Sequence, residues 1–68
     1  MSKVYYDVYE NGNGDEVAVE TRKDGSFYVE VCLQDECEYD KGFDNRKDLD
    51  TWLAANNFEY VGVNSYSV

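Results

Sequence analysis

The chain has 68 residues, with 15 Asp or Glu against 6 Lys or Arg, no His and no Pro, and a formal net charge of -9. So short a chain forms one domain, residues 1–68, with a thin core, since it buries only roughly 60% of its unfolded surface. The charge disfavours direct nucleic-acid binding, and without His the usual neutral-pH general base is missing.

No run approaches the roughly 18 apolar residues of a membrane span. The opening Met-Ser-Lys-Val-Tyr-Tyr-Asp has no apolar signal core, so a cytoplasmic protein with no membrane contact is expected. Seven Tyr, three Phe and one Trp supply the burial that separates a folded acidic domain from a disordered one. Oligomerisation is a common remedy for a small core, which leaves monomer and homodimer both open.

In chain order, Val4, Tyr6 and Val8 alternate with Tyr5, Asp7 and Tyr9, the period of a half-buried strand. Asn11-Gly12-Asn13-Gly14 breaks that pattern with residues that tolerate positive φ. Val17, Val19 and Thr21 form a second apolar face opposite Glu16, Ala18 and Glu20. Asp24-Gly25 is a hairpin signal, and Phe27, Val29, Val31 and Leu33 give the clearest core stripe. Gln34-Asp35 reads as a turn into a short strand over Glu36 to Asp40.

After Gly42 the period changes. Asp44 or Asn45 is placed to cap a helix, with Asp48 three residues beyond Asn45 as a loose capping box. Leu49, Trp52, Leu53 and Asn56 then recur on one helical face, and Asn56-Asn57 is a suitable end. Phe58 to Val63 resumes a strand. The expected fold is α+β: an antiparallel sheet of four to five strands with one helix on one face, ordered ββββαβ, or βββαβ if the Glu36 segment is irregular.

Cys32 and Cys37 face each other if Gln34-Asp35 is a two-residue turn, and a disulfide is then within geometric reach. In a reducing cytosol the expectation is two free thiols packed as small hydrophobes. Two thiolates without further ligands make no four-ligand zinc site, and the nearby Asp35, Glu36 and Glu38 oppose a reactive thiolate. The same turn creates a conflict, because it sets Glu38 opposite Val31 and Asp40 opposite Val29, on the core stripe. A register slip or a bulge would return those carboxylates to solvent, and an edge strand with inward charge is the other solution.

Glu36, Glu38 and Asp40 alternate along one strand, Glu16 and Glu20 along another, and Glu30 lies between them in sequence. Same-face residues on a strand stand about 6.6–6.8 Å apart, and two rises along a DNA strand amount to about 6.8 Å. Such a face can present phosphate-like charge to a basic groove. A solvated face that serves only solubility is the plainer alternative. Tyr28 and Tyr39, beside Glu30 and Glu38, suit an interface whose acidic rim steers a basic partner.

Asn11 to Glu16 offers oxygens to calcium but lacks the EF-hand order, and reads better as a hairpin loop. No Ser or Cys has a His partner and no glycine-rich phosphate loop is present, so neither catalysis nor a cofactor is expected. Arg22 and Lys23 flank a turn, and Arg46 and Lys47 start the helix. Neither pair makes a nucleic-acid groove.

Val8-Tyr9-Glu10-Asn11-Gly12, and Gly42-Phe43-Asp44 running through Leu49 and Asp50 to Trp52, resemble segments of small acidic type I anti-CRISPR proteins encoded by phages and mobile elements. The likeness covers about a third of the chain, in strand–turn and capping residues, and transfers no functional residue. It implies a non-enzymatic inhibitor of a CRISPR or other nucleic-acid-handling host complex. From the charge spacing itself, the expected partner is a basic nucleic-acid-binding host protein, met through Glu16, Glu20, Glu30, Glu36, Glu38 and Asp40 as phosphate surrogates with Tyr28 and Tyr39 as anchors. A small interaction module whose acidity serves solubility alone is the alternative.

Overall fold

The computed structural model describes residues 2–33 and 36–67, with side chains described outside 33–39. The elements are β1 (Lys3–Glu10), β2 (Glu16–Thr21), β3 (Phe27–Leu33), β4 (Glu36–Phe43), α1 (Arg46–Ala55) and β5 (Glu59–Ser67). The strands form one antiparallel sheet in the order β4-β3-β2-β1-β5. This is the ββββαβ form of the expected α+β fold, and the Glu36 segment is a full strand. The expected turn at Gln34-Asp35 lies outside the described residues.

Two hairpins share one design. Gly14 and Gly25 have φ of 86° and 89°, and each amide donates to the carbonyl three residues back, Asn11 and Arg22. Each loop thus has three residues ending in a left-handed glycine, the geometry of a turn followed by a bulge. Asx side chains complete them: Asn11 Oδ1 accepts from the Asn13 and Asp15 amides, and Asp24 Oδ1 accepts from the Ser26 amide and hydroxyl. Those two Ser26 bonds hold the Asp24 carboxyl below its ordinary pKa.

The helix begins as its sequence directs. Asn45 Oδ1 accepts from the Asp48 amide at 2.9 Å, satisfying a first-turn donor, while its Nδ2 donates to the Asp48 carboxylate. At the other end Asn57 adopts φ 60°. The Asn57 and Phe58 amides donate to the Ala54 and Leu53 carbonyls, which is a Schellman motif with Asn in the left-handed position. Phe58 also stacks on Trp52 at 5.7 Å, the hydrophobic contact that accompanies such caps.

Leu49 and Leu53 are the buried residues of α1, at the expected i, i+4 spacing. They close on Tyr9, Val17, Val19, Phe27, Val29 and Val31, with Phe43, Trp52 and Phe58 packed at the margin. Burying a Leu or Val side chain is worth about 1.5–3 kcal/mol, so these few residues supply most of the hydrophobic stabilisation. α1 covers one face of the sheet and leaves the other face uncovered.

Two boundaries and one register differ from expectation. β4 runs to Phe43 rather than Asp40, held by its pairing with β3. β5 runs to Ser67 rather than Val63, because the polar Asn64 to Ser67 stretch is held by pairing with β1 rather than by its own strand propensity. In β3–β4, Cys32 opposes Cys37, but the register shifts between Val31 and Cys32, so Val31 opposes Tyr39 and Glu30 opposes Asp40. A bulge therefore resolves the conflict posed by the sequence. Asp40 leaves the core stripe, and Lys41 takes the place opposite Val29. Lys41 tolerates that side because its ammonium sits over the Phe43 and Trp52 rings, 5.5 and 6.0 Å from their centroids.

Candidate functional site

The sheet face that α1 leaves open is built by strand alternation. With Val17, Val19, Val29 and Val31 turned to the helix, the intervening Glu16, Ala18, Glu20, Tyr28, Glu30 and Cys32 turn away. Register then assigns the flanking strands: Glu10 opposes Glu16, Val8 opposes Ala18, and Asp40 opposes Glu30. A shallow depression there is lined by Glu16, Ala18, Glu20, Tyr28, Glu30 and Cys32, with Tyr6 and Tyr66 at its edge. Those two tyrosine rings lie 6.0 Å apart.

Six carboxylates thus share one face: Glu10, Glu16, Glu20, Glu30, Asp40 and Glu59. Three pairs, Glu10–Glu16, Glu10–Glu59 and Glu30–Asp40, stand directly opposite each other. Directly opposed side chains have Cβ atoms about 4.5–5.5 Å apart, and like charges at that separation destabilise a sheet. None of the six enters an ion pair; among the described residues the salt bridge is Arg46 to Asp50 on the helix, at 2.9 Å. The face carries more negative charge than Arg22, the cation placed over its Tyr28 ring, can offset.

Tyr28 is fixed in this field. Its hydroxyl donates to Asp40 Oδ2 at 2.7 Å, reaching the diagonal neighbour because Gly42 lies directly opposite. The Arg22 guanidinium carbon sits 5.1 Å from its ring centroid. The Asp40 hydrogen bond, reinforced by the Asp40 and Glu30 charges, holds the Tyr28 phenol above its ordinary pKa.

Of the residues singled out from sequence, Glu16, Glu20, Glu30, Asp40 and Tyr28 come together on this face. Tyr39 does not share Tyr28's row: Tyr28 opposes Gly42 whereas Tyr39 opposes Val31. The bulge that frees Asp40 separates the two proposed anchors. The side chains of Glu36, Glu38, Tyr39 and Cys37 lie outside those described. Sequence reasoning missed Glu10, Glu59, Tyr6 and Tyr66. The Val4, Tyr6, Val8 alternation extends by one step to Glu10, so that signal was present, whereas nothing in the sequence placed Tyr66 beside Tyr6.

Cys32 is disulfide-bonded, which corrects the expectation of free thiols. Cys37 is the chain's one other cysteine and its register partner. Opposed antiparallel positions bring Cα atoms to about 4.5–5.5 Å, inside the range that a disulfide requires. Among the described residues no three His, Cys, Asp or Glu side chains gather closely enough to hold a metal ion. In the Asn11 loop the Asp15 carboxylate accepts from Asn11 Nδ2, so that loop's oxygens serve the hairpin. No described helix is long and apolar enough to cross a membrane.

Comparison with family models, curated proteins and solved structures finds no match to this chain.

Proposed function

We propose that this protein is a non-enzymatic inhibitor that occupies a basic nucleic-acid-binding surface of a bacterial host complex by phosphate mimicry, acting in the cytoplasm. The type I CRISPR machinery is the target class that its resemblance to anti-CRISPR proteins implies. The observation that carries the reading is the open face, where six carboxylates stand outside any ion pair among the described residues and Arg22, over the Tyr28 ring, is the cation set against them. Three directly opposed acidic pairs cost folding stability, and a basic partner would offset that cost by pairing them. Each charge-assisted contact with Arg or Lys is worth about 1.5–3 kcal/mol. Tyr28, oriented by Asp40, is a rigid aromatic contact within the acidic field.

The test is capture of partners from a bacterial lysate at low and high salt, with duplex DNA as competitor. Wild-type protein is expected to retain a DNA-binding complex that salt and DNA both release. The quadruple variant Glu16→Gln, Glu20→Gln, Glu30→Gln, Asp40→Asn is expected to lose it. Capture that persists in this variant, or that ignores salt, overturns the reading.

A second reading, an interaction module whose acidity serves solubility, draws on a different observation. Tyr60, Val61 and Val63 of β5 are each more than half exposed. Binding through that apolar surface would survive high salt, so the same experiment separates the two.

A further inference from the structure

We infer that β5 is the seam of a homodimer, in which the β5 strands of two copies pair antiparallel, edge to edge, and join the two sheets into one. The two edges of the sheet differ in chemistry. β4 carries four charged residues among its eight, and its pairing with β3 is bulged. Charge and bulges are the devices by which edge strands avoid pairing with another chain. β5 has nine residues, and Glu59 at its start is the only charged one. Its pairing with β1 is bulged at Val61 and regular from Gly62 to Ser67, so the edges differ in charge, and the last six residues of β5 leave a regular row of backbone groups along the outer edge.

Exposure singles out the same strand. Among the described residues the exposed large hydrophobics are Tyr60, Val61, Val63 and Tyr66 of β5, together with Tyr5 on the adjacent β1. Isolated surface apolar residues need no explanation, but four along one edge that carries a single charged residue mark an interaction site.

The charge pattern selects a second copy as the occupant. Antiparallel pairing of β5 with itself sends the two Glu59 side chains to opposite ends of the seam, roughly 27 Å apart for a strand of this length. That separation is several times the Debye length of about 8 Å at physiological salt. On the acidic side of the sheet β5 contributes Glu59, opposite Glu10, and then the uncharged Gly62, Asn64 and Tyr66; with the two Glu59 at opposite ends, no carboxylate meets its copy across the seam. A two-fold axis normal to the sheet keeps both helices on one side and both acidic faces on the other. The charged β4 edges end the assembly on both flanks, so pairing closes at two copies. This inference does not depend on the inhibitor reading, although it would double the acidic face.

Molecular mass measured by light scattering, across protein concentration and salt, tests it. Wild-type protein is expected to pass from 7.9 kDa to twice that value as concentration rises. The dimer fraction should grow with salt, because each copy carries a charge of -9 and screening relieves their repulsion. The double variant Val61→Lys, Val63→Lys, substituted at two exposed side chains and checked for its fold by circular dichroism, is expected to remain monomeric. A monomer at every concentration overturns the proposal, as do a double variant that dimerises like wild type and a species that grows beyond two copies. Salt separates the two proposals: dimerisation strengthens with salt, and binding to a basic partner weakens.

Discussion

The two faces of the sheet use the same strands in opposite ways. On the helix side, Val17, Val19, Val29 and Val31 are almost wholly excluded from water against Leu49 and Leu53, and Arg46 there donates to the Tyr9 hydroxyl and to Asp50. On the other side, the alternate residues of those strands place carboxylate opposite carboxylate without a cation between them. One face gains stability by excluding water and pairing its charges, and the other gives some of it up. In a domain whose total stability is of order 5 kcal/mol, opposed carboxylates of this kind take away a noticeable share of it.

Truncating the helix side has the largest expected effect. Leu49→Ala removes the largest of the fully buried side chains and should cost about 2–5 kcal/mol, measurable as a lowered denaturant midpoint. Retention of near-wild-type stability would mean that the core does not rest on α1. The opposite sign is expected across the sheet. Glu30→Gln removes one member of the Glu30–Asp40 pair and should raise stability by about 0.2–1 kcal/mol. The gain should shrink as salt increases, and partner capture should weaken. A loss of stability in this variant would show that the acidic face contributes to the fold and would erase the contrast between the faces.

The finest test is the alkaline limb of the stability curve. The Tyr28 phenol has its pKa raised by the hydrogen bond to Asp40, and only the protonated hydroxyl donates that bond. Its contribution is therefore complete below the unfolded value of about 10 and is lost as pH rises through the higher folded value. Tyr28→Phe should flatten that part of the curve relative to wild type while leaving the neutral region nearly unchanged. Identical alkaline limbs in the two proteins would remove Tyr28 from the acidic network.

Local chemistry made much of the molecule readable from sequence. The helix, its Asn45 cap and its Asn57 terminus follow from side chains acting on backbone within one turn, as do the two glycine-closed hairpin loops. The placing of Glu16, Glu20 and Glu30 away from the core follows equally from strand alternation beside Val17, Val19 and Val29. Each of these depends on neighbours a few residues away, where propensity and period are decisive.

Asp40, Tyr39, Glu10 and Tyr66 depended on pairing between strands. A single bulge beside Cys32 exchanges the faces of the residues that follow it, so Asp40 joins Glu30 while Tyr39 pairs with Val31. Alternation within β4 cannot supply that offset, since a period of two is blind to a shift of one. The last strand is held along β1 although half of it is polar, which sets Tyr66 beside Tyr6. The sequence determined a small α+β domain with an acidic strand face. The tertiary structure alone decided which carboxylates face one another, because hydrogen-bond register between distant segments is a property of the assembled sheet.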